Sequence, residues 1–104
     1  MTDFIVVFIT ASTFDQAEKI GKALLEKKLV ACVNIISDIK SIFWWQGEID
    51  SSGEILLIAK SKKGLMSKII RLIKSLHSYK IPEVIALPIV AGNKDYLKWI
   101  NESC

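Results

Sequence analysis

Apolar and polar positions follow two periods along this 104-residue chain. Phe4 to Thr10 is nearly continuous apolar and too short for a stable helix, so it reads as a central strand. Ala11-Ser12 turns the chain. Thr13 opens a helix, with Gln16 three residues on completing a capping box. Ala17, Ile20, Gly21, Leu24 and Leu25 then recur at helical spacing, while Glu18, Lys19, Lys22 and Glu26 take the outer face. Glu18 and Lys22 are a favourable i,i+4 pair. Gly21 lowers helix propensity by about 1 kcal/mol relative to Ala, and on the apolar face it lets the helix approach a sheet closely.

Val30 to Lys60 predicts one long bent β-hairpin. Ile39, Ile42, Phe43, Trp44 and Trp45 supply the branched and aromatic residues that pleated surfaces favour. Asp50-Ser51-Ser52-Gly53 is the expected turn, and Ile55 to Ala59 the return strand. Such a ribbon exceeds the usual ~5–6 residues per strand, so part of it should project. Ser61 to Gly64 breaks the chain before a second helix marked by Leu65, Met66, Ile69, Ile70, Leu72, Ile73 and Leu76. Pro82 disfavours helical geometry just before it, so the helix ends within His77–Pro82. Val84 to Val90 is a strand whose Pro88 restricts it to a sheet edge or a bulge. After Gly92-Asn93, Asp95 to Glu102 predicts a short helix anchored by Tyr96, Trp99 and Ile100. The order is that of an α+β, ferredoxin-like βαββαβ sandwich with a long hairpin and a C-terminal helix, one domain over residues 1–104. Helices on one face of the sheet leave the other uncovered. Packing three copies around an axis would cover it.

Composition sharpens this picture. Hydrophobic residues make up 51% of the chain, and the mean hydropathy is +0.36. No run approaches the ~18 uninterrupted apolar residues of a spanning helix, which favours an oligomer interface over a membrane. Residues 1–10 lack the basic start and small-residue cleavage site of a signal peptide, so a cytoplasmic protein is expected. Cys32, inside an apolar strand, reads as a reduced, buried thiol, and Cys104 as a mobile one. Two cysteines and one histidine cannot supply the four ligands of a structural zinc site. The net charge of +3 is unevenly spread. No acidic residue falls between Ile55 and Pro82, where Lys60, Lys62, Lys63, Lys68, Arg71, Lys74 and Lys80 lie. Such a run is either a solvated helix face or an anion-binding surface. The aromatic motifs of RNA-binding modules are missing, which ranks nucleic acid last.

Four segments carry a family resemblance: Ala31 to Ile35, Ser41 to Ile49 (SIFWWQGEI), His77 to Leu87 (HSYKIPEVIAL) and Tyr96 to Ile100. In order and spacing they resemble the CutA family, the divalent-cation tolerance proteins, over nearly the whole chain. The resemblance implies a trimer of ferredoxin-like subunits whose long hairpins join neighbouring sheets. It also implies a response to metal ions and binding of copper or another divalent metal. The ligands it implies are a Cys at the end of the first strand and one or two His at the end of the second helix. Here Ile9 and Thr10 stand at the first position and His77 at the second, followed by Ser78 where the family has Pro.

His77, the sole histidine, is therefore the candidate metal ligand; otherwise it is a helix-end residue or a general acid or base. Trp44 and Trp45 should point to opposite faces of their strand. Either one packs in the core and the other at a subunit contact, or one lines a cleft between subunits with Lys60, Tyr79 and Glu83. That cleft would take a small polar ligand. No G-x-S-x-G, Walker loop, dinucleotide fingerprint or HExxH is present, so nothing marks an enzyme. The expected molecule is a non-catalytic homotrimer. The alternative, by fold analogy with PII-type signalling proteins, is a small-molecule sensor or enzyme using the inter-subunit cleft.

Overall fold

The computed structural model describes residues 3–104. Its elements are β1 (Phe4–Ala11), α1 (Phe14–Glu26), β2 (Cys32–Trp45), β3 (Glu48–Lys62), α2 (Met66–Leu76, after a 3-10 turn at Lys63–Leu65), β4 (Val84–Pro88) and α3 (Lys94–Ser103). The sheet order is β2-β3-β1-β4 with every neighbour antiparallel, the ferredoxin-like arrangement. β4 lies at an edge, as Pro88 requires.

Strand alternation sorts the apolar residues onto two faces. Ile5, Val7 and Ile9 of β1 and Ile55, Leu57 and Ala59 of β3 are buried against Ala17, Ile20 and Leu24 of α1 and Ile69 and Ile73 of α2. The opposite, open face carries Phe8, Ile36, Leu56, Ile58, Ile85 and Leu87. Ile85 and Leu87 remain about half exposed, at 53% and 52%. α3 covers one end of this face. Ile100 is fully buried there, apart from the main cluster, while Tyr96 and Trp99, expected as core anchors, stay partly exposed. Ile100 alone of the helix is buried outright, while Tyr96 reaches the sheet only through its hydroxyl, beside Cys32.

The hairpin is longer than the sheet that carries it. β1 covers β3 only from Ile55 to Lys62, so residues 39–54 pair solely with one another. Their turn is Gln46-Gly47, not Asp50–Gly53, which runs within β3. Both turn residues have positive φ (50° and 82°), the two-residue geometry that matches strand twist. A bulge at Ser37-Asp38, with Asp38 at φ 61°, shifts the register between Ile36 and Ile39. The shift reverses which residues of β2 share the open side. Ile39, Ser41, Phe43 and Trp45 lie opposite Glu54, Ser52, Asp50 and Glu48, while Ile42 and Trp44 lie on the other side.

Several local expectations change. Thr13 Oγ1 does accept from the Gln16 amide at 3.1 Å. Gln16 Oε1 turns instead to Ser12 and Ser78, so the box closes on one side only. Ser61 begins no loop: it is buried in β3 and donates to the Leu29 carbonyl at 2.6 Å. A Cβ on Gly21 would meet Val33 Cγ1 at 3.5 Å, an ordinary contact, so close approach does not demand glycine there. Leu25 is exposed. Cys32 is only half-buried, its thiol 3.6 Å from the Tyr96 hydroxyl. Cys104 is held rather than loose, its Sγ 3.4 Å from the Ile100 carbonyl and its own carbonyl bonded by Lys62.

Candidate functional site

The second helix leaves its last turn beside the end of β1, and His77 joins the two. As the residue after α2, it donates its backbone N–H to the Ile73 carbonyl at 2.8 Å. Its Nε2–H donates to the Thr10 carbonyl at 2.6 Å. Nδ1 accepts the Tyr79 amide at 3.0 Å. These partners assign the proton to Nε2 and occupy the only lone pair on the ring. The ring clasps β1 to the segment after α2, and Ser78 adds a bond from its Oγ to Gln16 Oε1 at 3.2 Å.

That clasp presents Tyr79 to the sheet's open side. The two rings lie 4.6 Å apart between centroids. The Tyr79 hydroxyl donates to Glu54 Oε2 at 2.7 Å. Glu54 is buried, at 8% exposure, where the projecting hairpin leaves the four-stranded sheet. Burial, followed by the hydrogen bond and charge of Glu54, pushes the Tyr79 phenol up to about 12. At neutral pH it is a fixed donor, and the carboxylate keeps its second oxygen for another group.

Around this pair opens a cleft of about 850 Å³, lined among others by Thr10, Phe43, Trp45, Tyr79, Lys80 and Glu83. Three of the five residues expected to meet in a cleft, Trp45, Tyr79 and Glu83, therefore do line one surface. Trp44 does not, because the register puts it on the other side of the hairpin opposite Ile49. Lys60 does not either. It pairs with Val6 and Cys32, four residues along β3 from Leu56, the partner of Thr10, and its ammonium bonds Asn34 Oδ1. The central residue that sequence alone missed is Glu54. Its signal was an acidic residue directly preceding the continuous apolar run Ile55 to Ala59 of β3.

The metal expectation fares differently. His77 offers no free nitrogen, and Ile9 is buried in the core. Among the described residues no group of three or more His, Cys, Asp or Glu stands close enough to share a metal ion. The donor set around His77 thus does not fit a resident divalent metal without displacing the Tyr79 amide.

Residues 5–103 match the family described as CutA1 divalent ion tolerance protein. A divalent-cation tolerance protein CutA of Thermus thermophilus is 44% identical over 98 residues, spanning 94% of this chain and 95% of that one. A solved structure of the divalent cation tolerance protein from the same organism superposes with a TM-score of 0.95 at 43% identity, covering 96% of this chain and 97% of the other. A rice protein described as CutA 1, chloroplastic, is 39% identical over 99 residues, 95% of this chain but 56% of that longer protein. No described helix is long and apolar enough to cross a membrane.

Proposed function

The chain belongs to the CutA1 divalent ion tolerance protein family, and from that premise we propose a homotrimer that serves divalent-cation tolerance without catalysing a reaction. The observation that carries the trimer is the uncovered apolar surface. The open sheet face and the projecting hairpin leave Ile42, Trp44 and Ile49 exposed at 69%, 72% and 65%, more apolar surface in one region than a solitary domain usually shows. Hairpins that pair with neighbouring sheets would bury both surfaces at once. The two free thiols suit a reducing compartment such as the cytoplasm.

The response to metal ions does not require a resident copper or other divalent ion at His77, whose bonds argue against one. Native mass spectrometry of the purified chain, titrated with Cu²⁺ and Zn²⁺ beside His77→Ala, tests both parts. A trimer whose weak metal uptake is the same in the variant is the expected result. A monomer at micromolar concentration overturns the assembly. Stoichiometric metal lost in the variant would restore His77 as a ligand.

One observation favours a second role for the same molecule, the sensing of a small polar ligand. The Glu54–Tyr79 pair lies in a cleft flanked by Trp45 and Phe43, with Lys80 and Glu83 at its rim. Fixed polar groups among aromatic walls are what small-molecule sites use. A ligand of this cleft would raise the melting temperature with concentration, as linkage demands, and Glu54→Gln would abolish the shift.

A further inference from the structure

We propose that the groove between the end of α1 and the outer face of α2 binds a small phosphate-bearing molecule with two or more negative charges, held by Lys27, Lys68 and Arg71. The groove has a volume of about 640 Å³ and is lined by these three residues with Leu29, Leu72 and Ser75. That is within the roughly 300–1,000 Å³ of small-molecule sites. It lies in the helix layer, whereas the assembly face is the other side of the sheet, so it stands or falls independently of the trimer.

Two elements converge to make it. Lys68, Arg71, Leu72 and Ser75 are spaced i, i+3, i+4 and i+7 and so form one stripe of α2. Lys27 caps the C-terminal end of α1 beside it. The lining thus carries three cations and no carboxylate. Among the described residues none of the three cations has an ion-pair partner, whereas Lys22 and Lys98 are both paired. An unneutralised cluster in a concave site is held together against mutual repulsion, and an anion relieves that repulsion.

The groups also differ in what they supply. Arg71 offers a planar fork that matches two phosphate oxygens, and the two lysines act as point charges. Ser75 adds little as a donor, because its hydroxyl proton already goes to the Leu72 carbonyl at 2.6 Å. Leu29, buried, and Leu72, half-buried, form an apolar floor. Such a floor can seat the non-phosphate part of a ligand. The phosphate is the shared chemistry, and a free polyphosphate and a nucleotide are its two sources.

Calorimetric titration at physiological ionic strength, with pyrophosphate and with ATP as separate probes, tests the assignment. Saturable binding of one probe molecule per chain is expected. It should weaken about tenfold or more in Lys68→Ser/Arg71→Ser. The charge-matched control Lys19→Ser/Lys94→Ser should bind like the wild type. Tighter binding of ATP than of pyrophosphate would assign the apolar floor to the base. Equal losses in the two double variants would reduce the effect to net charge and overturn the site, as would absence of saturable binding to the wild type. Both α2 residues are exposed. Should the double variant nonetheless misfold, Arg71→Glu alone must abolish binding, and retained affinity there would also overturn the proposal.

Discussion

Tyr79 and Glu54 form the most consequential side-chain pair, because each solves the other's problem. A buried carboxylate needs a donor, and a partly buried phenol needs an acceptor. Removing the hydroxyl in Tyr79→Phe leaves Glu54 short of a partner and should cost about 1–3 kcal/mol in denaturant unfolding. The pH dependence has a definite sign. The folded phenol is raised to about 12 from an unfolded value near 10. Its contribution to stability is therefore complete below pH 10 and lost as pH rises toward 12. Ultraviolet titration of phenolate in wild type and Tyr79→Phe would show one of two late-ionising tyrosines disappear, because the Cys32 thiol beside Tyr96 raises that phenol as well. Gly21 points the other way. A methyl group there meets only the ordinary 3.5 Å contact with Val33, so Gly21→Ala should stabilise α1 by about 0.5–1 kcal/mol. Thermal unfolding would register it as a rise of about 2–8 °C.

The elements show what periodicity conveys and where it stops. Both main helices, the edge position of Pro88 and the long ribbon are legible, because each rests on a local pattern with one physical solution. The turn is not, since Asp50-Ser51-Ser52-Gly53 has turn composition, whereas Gln46-Gly47 owes its geometry to strand register across fourteen residues of β2. Gly47 alone tolerates φ 82° without strain. Gly47→Ala should lower stability by about 1 kcal/mol while leaving the core spectroscopically unchanged. The bulge at Ser37-Asp38 is likewise invisible in sequence, as one extra residue leaves no compositional mark. Yet the register beyond it decides which indole faces the cleft. Deleting Asp38 should remove the extra residue while keeping Ile39 opposite Glu54, so Trp45 stays on the side of Glu54 and Trp44 on the other. Tryptophan fluorescence quenching on single-tryptophan backgrounds would check that neither indole changes its exposure. Trp45, Tyr79 and Glu83 of the cleft are thus legible in sequence, and Trp44 and Lys60 are lost to register. His77 stands out as the sole imidazole, but its hydrogen-bond partner Thr10 lies in a distant segment that a linear pattern does not bring near.

At the scale of the whole molecule, extents of 44 × 26 × 23 Å describe a body with an arm. Its apolar burial is incomplete in isolation, so stability and assembly should be coupled. The melting temperature should rise with protein concentration. Trp44→Ala and Trp45→Ala, each removing an aromatic worth about 3–5 kcal/mol when buried, should make the proposed trimer dissociate on dilution in analytical ultracentrifugation. The arm has a further consequence. Residues 48–54 of β3 have no strand on their β1 side, and β2 forms the outer edge of the sheet. Both rims of the ribbon thus keep backbone donors and acceptors without a ladder partner. In the proposed trimer, satisfying them is a meeting between molecules rather than a step along one chain. Refolding should accordingly split into an early phase of fixed rate and a later one that quickens as the solution is made more concentrated. The last contacts of the native state would then be set by encounter frequency.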